Sequence, residues 1–515
     1  MDRLLRGIGA IERAGNKLPH PFWLFWILAA VLGAVSLVLA GLDVSVTLPE
    51  SGHHVAVKSL LSLDGVAFAV SSALDNIAAF PPLAVILVML LGVSVAEKSG
   101  LLEALLRITV VRLPARWVTF AIAFSGMIAH VMSDSAYLVM IPLGALAFRA
   151  AGRSPVLGVM VAYAAVSAGF NASPVVTPSD AIRSSLSATA AKTVDPHYVI
   201  TPVSTYFFSA ASSLLLAVVI TVVVETVLAR RPDHTPSPDE DLPAGAAGST
   251  LTADHRTDAP DIRLTPTERR AMNRVAGVLV LYAGAVIAMM SVPDSPLLGD
   301  DGSIVNSVVV VNISVFMALL FALLGFVYGR TTGTVPSLSS VPSIMASGVS
   351  KIAPVIVLFF AVSQFLAYFK WTGIGSVLTV RGADVLHSLN APHLLILLAI
   401  LVAVSLLNML ITSGSAMWSI LAPILVPMMM YLSIRPEAAQ AAFMIGDSVT
   451  NAVTPMSPYF VLALGFVQQY RKNAGIGTLM SFTVPIALSI LVAWSAFFAL
   501  WYGLDIPLGP GVSLR

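Results

Sequence analysis

Apolar residues run along most of this chain in stretches near the ~20 residues that a helix needs to cross a bilayer. Such stretches fall near 22–40, 80–97, 155–177, 199–228, 275–291, 307–328, 353–369, 437–458 and 480–503, and each predicts a membrane span. Two further apolar regions, 118–148 and 394–432, are too long for one span and carry a polar break in the middle. Each predicts a re-entrant helical hairpin. Leu63 to Ala79, ahead of Pro81 and Pro82, predicts an interfacial helix beyond an outer loop at 42–65. The segment 229–274 is rich in Pro, Asp, Ser, Thr, Gly and Ala, and its stretch 233–241 has too few apolar residues to bury a core. It reads as a disordered linker.

The polar breaks recur. Ser133-Asp134-Ser135-Ala136-Tyr137 is followed by Pro142, Arg153-Ser154-Pro155, Asn171-Ala172-Ser173-Pro174 and Thr177-Pro178. Later, Ser413-Gly414-Ser415-Ala416-Met417-Trp418 is followed by Pro423, Arg435-Pro436, Asn451-Ala452-Val453-Thr454-Pro455 and Ser457-Pro458. Paired interruptions at matching places in two halves are the best sequence pointer to a transporter's binding site.

Charge sets the expected topology. Loops on the cytoplasmic side carry excess Lys and Arg. The N-terminus (Arg3, Arg6, Arg13, Lys17), the segment 98–116 and the linker are basic, whereas 292–303 holds Asp294, Asp300 and Asp301 without Lys or Arg. All four fall correctly if 118–148 enters and leaves on the cytoplasmic side. Arg183 and Lys192, beside Asp180 and Asp195, then remain on the outer side against the trend. The same parity brings the second hairpin in from outside, so the halves are inverted. The expected segments are 1–117, N-terminal spans with the start of the first repeat; 118–228, the rest of that repeat; 229–274, a cytoplasmic linker; 275–352, scaffold spans; and 353–515, the second repeat.

Composition agrees with a membrane protein. The chain is 57% apolar and 11% charged, against roughly 25% charged in an ordinary soluble protein, and its mean hydropathy is +0.89. A net charge of +1 gives no electrostatic case for nucleic acid. The absence of cysteine excludes disulfides and thiolate chemistry. No P-loop, His-Glu-x-x-His or Gly-x-Ser-x-Gly motif is present. Gly325 and Gly329 form a weak helix-packing motif.

The candidate residues follow from the breaks. Backbone that leaves a helix inside a membrane must be met by protein or by a water-filled cavity. Ser133, Asp134 and Ser135 suit the cap of a half-helix, and Ser413 and Ser415 take the matching place. Half-helix N-termini can face an anionic group. Freed carbonyls near Asn171 and Asn451 suit a cation, Na⁺ included, though no firm metal site is defined. The alternative is a small-residue packing surface. Asp447 stands at membrane depth, where a carboxylate is by default a functional residue, as ion ligand, proton carrier or substrate contact. Asp180 is its looser counterpart, with a solvated loop position as the rival reading. Trp418, one helical turn after Ser415, suits stacking on an aromatic ligand or plain packing. His130 before the first tip reads as structural.

The second-half motifs, with Ile445-Gly446-Asp447-Ser448 and Thr454-Pro455-Met456-Ser457-Pro458-Tyr459, resemble the p-aminobenzoyl-glutamate transporter (AbgT) family. Ser133 to Tyr137 and Gly152-Arg153-Ser154-Pro155 agree in the first half. The resemblance spans roughly 10–505. It implies a homodimer with nine spans and two re-entrant hairpins per subunit, the count that charge parity also gives; the chain is expected in the bacterial inner membrane, with its basic N-terminus cytoplasmic. It also implies ion-coupled movement of p-aminobenzoyl-glutamate, or export of sulfonamide antifolates. The substrate-site residues it carries over are Asp180, Ser415, Trp418, Asp447 and Pro455. Relatives often have Arg where this chain has Met444, which offers no donor, so a preference for less acidic aromatics is expected.

The fold class expected is therefore an all-α integral membrane protein of the elevator-type ion-transporter superfamily. Its expected function is secondary transport of a small aromatic anion, coupled to H⁺ or Na⁺, with no cofactor. The alternatives are a sodium-coupled di- or tricarboxylate symporter and, from a different class, a membrane-embedded enzyme.

Overall fold

The computed structural model describes residues 19–49, 52–111, 114–229, 264–292, 295–299 and 307–513. The basic N-terminal residues, most of the linker 229–274, and Asp294, Asp300 and Asp301 lie outside them.

The first helix, α1 (Pro21–Gly41), starts on a proline whose missing N–H costs nothing at that position. A short antiparallel pair, β1 (Ser45–Thr47) and β2 (His54–Ala56), follows in the outer-loop segment. The expected helix at 63–79 forms as two pieces, α2 (Leu63–Ser71) and α3 (Ala73–Ala78). Then come α4 (Pro81–Lys98) and α5 (Leu101–Val111). The first polar break separates α6 (Val118–Ala129) from α7 (Ser135–Ala150). Next are α8 (Pro155–Ala168), α9 (Pro178–Ala191) and α10 (Tyr206–Val223). Past the linker lie α11 (Pro266–Met290), the short α12 (Val308–Val311), α13 (Ile313–Thr332) and α14 (Val341–Lys351). The second half comprises α15 (Ala353–Trp371), α16 (Ile374–Ser388), α17 (His393–Asn408) and α18 (Gly414–Tyr431), then α19 (Pro436–Val449), α20 (Pro458–Tyr470) and α21 (Ile476–Gly503).

Among the described residues, eight helices are long and apolar enough to cross a membrane. They include α18, one arm of the second expected hairpin, and leave out the broken pairs α8–α9 and α19–α20.

Both polar-centred regions fold as helical hairpins. In the first, Arg153, just past α7, donates to Thr119 at the start of α6 at 2.9 Å, so the two open ends lie together. The same guanidinium pairs with Glu225 beyond α10 at 2.7 Å and lies over the Phe148 ring. In the second, one crevice is lined by His393 and Ile396 at the start of α17 and by Tyr431 to Ser433 at the end of α18. The tips of the two hairpins line one cavity, described below, so the hairpins point toward each other.

Two expected spans are corrected. The span placed at 155–177 stops as a helix at Ala168 and resumes from Pro178 to Ala191. The span at 437–458 stops at Val449 and resumes from Pro458 to Tyr470. Both resumptions begin on proline at the first helical position. Thr177 and Asp180 close a reciprocal capping box on α9. Residues 180–191, which lie beyond the span expected at 155–177, are therefore mostly buried helix. Their serines depress hydropathy, but a helix surrounded by protein needs no apolar face.

Backbone contacts between helices explain the small residues. A Cβ on Gly92 of α4 would strike the Ala318 backbone of α13, and one on Gly325 would strike the Ala96 backbone at 2.5–2.6 Å. The Gly325/Gly329 motif thus marks a real close packing. Gly144 of α7 and Gly158 of α8 meet in the same way.

One end of the molecule gathers basic segments. Arg107 pairs with Glu268 at 2.5 Å, Lys351 with Glu97 at 2.7 Å, and Arg274 donates to Thr331 at 3.2 Å. The other end joins Lys58 to Thr372 and Phe208 to Leu508 through main-chain bonds.

Candidate functional site

A cavity of ≈ 340 Å³ lies where the breaks converge. Ser133 and Asp134 reach it from the first tip, and Ser413, Gly414 and Ser415 from the second. Phe170 and Pro178 come from the first broken helix, and Asn451, Ser457 and Pro458 from the second. Ile86, Leu90, Lys351 and Val355 close it from α4, α14 and α15. Four interruptions more than 280 residues apart at the extremes therefore meet in one space.

The tips are built differently. Ser413 caps α18, its hydroxyl accepting from the Ala416 N–H at 3.4 Å. Asp134, at the corresponding position before α7, makes no capping bond and turns to Tyr459 instead. The expected cap there is corrected: Ser133 has φ +49°, a region that L-residues rarely adopt. That turn aims the Asp134 side chain into the cavity. Ser135 is the first residue of α7 and lies outside the lining.

Behind the cavity wall runs a chain of polar groups. The Asn171 amide donates to Asp447 Oδ2 at 2.8 Å and to the Met444 carbonyl at 3.0 Å. Its oxygen accepts from Arg183 Nη1. Arg183 Nη2 meets Asp180 Oδ1 at 2.5 Å. The other Asp180 oxygen accepts from the Thr177 N–H and hydroxyl, each at 2.8 Å. Asp180 is thus a buried, paired carboxylate, and the solvated-loop reading of it is corrected. Arg183, placed by the sequence reading on the outer side, is buried in the site and lines the cavity.

Asp447 is fully buried, and its Oδ1 has no hydrogen-bond partner. The carboxylate lies against Gly414, the first residue of α18, where a Cβ would come within 2.6–2.8 Å of both oxygens. A half-helix N-terminus is the place in an apolar interior that best tolerates negative charge. Asn408 ties this region together, its amide reaching the Asp447 carbonyl at 2.6 Å and the side chains of Thr450 and Asn451 at 2.9 Å. The Asn171 and Asn451 side-chain oxygens are both taken. A cation would be left with freed main-chain carbonyls. Among the described residues no cluster of three or more His, Cys, Asp or Glu side chains forms a metal site.

Trp418 is wholly buried, 4.4 Å from Phe443, with its indole N–H on Ser187 at 3.0 Å. Ser187 donates on to Gln440 at 2.6 Å, so α9, α18 and α19 are knotted at this point. Trp418 does not line the cavity, and neither does Pro455, which sits in the second break. The cavity's aromatic wall is instead Phe170 with Tyr137 and Tyr459, whose rings stack at 3.9 Å, one from each half. Sequence reasoning missed Arg183, Asn408 and this tyrosine pair. Both tyrosines stand inside the repeated motifs, and Asn408 is a lone amide within a leucine-rich run, which were the available signals.

An all-helical, strongly apolar protein with broken helices converging on one internal cavity is a membrane transporter rather than an enzyme. The chain belongs to the AbgT putative transporter family, whose model it matches over residues 6–515. It is 34% identical over 510 residues to the p-aminobenzoyl-glutamate transport protein of Escherichia coli (strain K12), covering 98% of this chain and 96% of that one. Its structure resembles the YdaH transporter of Alcanivorax borkumensis, described as having an unusual topology, with a TM-score of 0.86 and 38% identity, covering 96% of this chain and 100% of that one. It also resembles MtrF of Neisseria gonorrhoeae, described as illuminating a class of antimetabolite efflux pumps, with a TM-score of 0.87 and 33% identity, covering 98% and 99% of the two chains.

Proposed function

We propose that this protein is an ion-coupled secondary transporter of p-aminobenzoyl-glutamate or a related aromatic anion. The observation that carries the reading is the single cavity shared by two hairpin tips and two broken helices. It offers an aromatic wall, half-helix N-termini and one buried guanidinium, which together suit a ring bearing an acidic group. The relative in Escherichia coli is a p-aminobenzoyl-glutamate transport protein, which supports the substrate class. The likeness to MtrF supports a second cargo, antimetabolites moved outward, of which the sulfonamides implied by the family resemblance are the compounds to test.

In this reading the pairs α8–α9 and α19–α20 each cross the membrane once. With seven unbroken crossings (α1, α4, α10, α11, α13, α15 and α21) they make nine spans beside two re-entrant hairpins. The protein works as a homodimer in the bacterial inner membrane, with its N-terminus in the cytoplasm. Transport is of elevator type: the hairpins and broken helices move the cavity past α4 and α15. Asp447 couples H⁺ or Na⁺ movement to the cargo, since its unpartnered oxygen lies against the second tip. Asp180 keeps the neighbouring guanidinium in place.

The test is reconstitution in liposomes with labelled p-aminobenzoyl-glutamate and, separately, a sulfonamide, under imposed H⁺ and Na⁺ gradients one at a time. Concentrative movement of either compound under one gradient supports the reading. No movement of either under both gradients removes it.

A further inference from the structure

Among the described residues lining the cavity, Arg183 is the buried basic side chain that keeps an unused N–H. The other, Lys351, is 58% exposed at its side chain and has its ammonium on Glu97. The Arg183 side chain is only 4% exposed. Its Nη1 is used by Asn171 and its Nη2 by Asp180, but its Nε–H is buried without an acceptor. A guanidinium carries five N–H donors, and the edge formed by Nε and a terminal nitrogen matches the two oxygens of a carboxylate. A buried donor with no acceptor is an unsatisfied charge-bearing group, which a ligand oxygen relieves.

Position explains why this arginine matters here. Asn171 joins Arg183 through its oxygen and the Met444 carbonyl through its amide. The guanidinium is therefore tied through Asn171 to α19, where the same amide also reaches Asp447 at 2.8 Å. Met444 itself is buried and has no donor.

We propose that Arg183, on α9, holds the carboxylate of the transported anion. The assignment rests on the aromatic-anion reading above. Asp180, held by Thr177, positions the guanidinium and leaves its Nε edge to the ligand. On this assignment the carboxylate has a charged partner although Met444 offers no donor, so it and the expected preference for less acidic cargo are rival expectations.

Equilibrium binding to purified protein tests this with two probes, p-aminobenzoyl-glutamate and p-aminobenzamide, which has the same ring without a carboxylate. Arg183→Met is expected to weaken the glutamate conjugate ~10–100-fold, the range for losing a charged hydrogen-bonded contact. Its effect on p-aminobenzamide should stay within about 3-fold on the same grounds. Arg183→Lys keeps the ion pair and loses the planar fork, so an intermediate loss for the conjugate alone is expected. Equal weakening of both probes, or unchanged conjugate binding in Arg183→Met and Arg183→Lys, overturns the assignment while leaving the transport reading intact. A wild-type protein that binds neither probe sinks the substrate reading and this assignment with it.

Discussion

Substituting Ala for Gly414 tests how tightly Asp447 is held against the second tip. The new Cβ would lie 2.6 Å from Oδ2, 2.8 Å from Oδ1 and 3.0 Å from Cγ of Asp447. Carbon and oxygen in ordinary contact sit ~0.7–0.9 Å farther apart, given the ~3.5 Å optimum for non-bonded heavy atoms. The carboxylate must retreat or the tip must lift. Retreat by that amount strains the 2.8 Å bond from Asn171, and Asn171 is itself fixed by Met444 and Arg183. Loss of that charged hydrogen bond costs about 1.5–3 kcal/mol. We expect Gly414→Ala to lower the thermal stability of the detergent-solubilised protein and to reduce gradient-driven transport ~10-fold or more by the same free-energy scale. A double-mutant cycle with Asp447→Ala isolates the cause, since removing the carboxylate removes the collision. In the Asp447→Ala background, Gly414→Ala should cost almost nothing in stability. A Gly414→Ala protein with wild-type melting and transport, or one equally impaired in both backgrounds, refutes the reasoning.

Asp447→Asn keeps the shape and removes the charge, so it should fold and melt near wild type while gradient-driven accumulation disappears; concentrative transport by this variant would leave Asp447 with a structural role only. Ser133→Gly relieves a positive-φ turn worth ~1–3 kcal/mol, offset by the ~0.5–1 kcal/mol entropy cost of glycine, so its stability should equal or exceed wild type, whereas Ser133→Val should melt lower. The opposite order would show that the turn carries no strain. Topology is testable with single cysteines because the chain has none. An impermeant thiol reagent on intact cells should label Pro296→Cys, an exposed position preferable to buried Ser295, and should spare Ser237→Cys in the linker. Labelling of the linker position alone would overturn the orientation and both re-entrant hairpins with it.

What the sequence disclosed depended on which surroundings each helix meets. Helices facing lipid must be apolar, so α1, α4, α10 and α15 stand out by hydropathy alone. The tips stood out because Ser133-Asp134-Ser135 and Ser413-Gly414-Ser415 interrupt such runs. The second half of each broken helix did not stand out. Ser184, Ser185 and Ser187 of α9 are buried against protein, where hydroxyls find partners and hydropathy carries no information. That error hid Arg183, which in a presumed loop looked like an ordinary solvated charge. Trp418 was legible as an interesting residue, but spacing along a helix gives its face relative to Ser415 and not what that face meets. Its indole N–H found Ser187, 231 residues away in the chain. Asp447 was recoverable because a carboxylate at membrane depth has few explanations, wherever its partners come from.

The two sides of the cavity have different owners. Ile86 and Leu90 belong to α4, whose Gly92 is pressed backbone to backbone against α13, outside both hairpins and both broken helices. Asn171, Arg183 and Asp447 belong to the two broken helices. A lineage can therefore widen or narrow the room for cargo by exchanging two aliphatic side chains on one helix, with every polar bond around Asp447 left as it stands. Descendants of such a chain would be free to change what they carry long before they change how the carrying is driven.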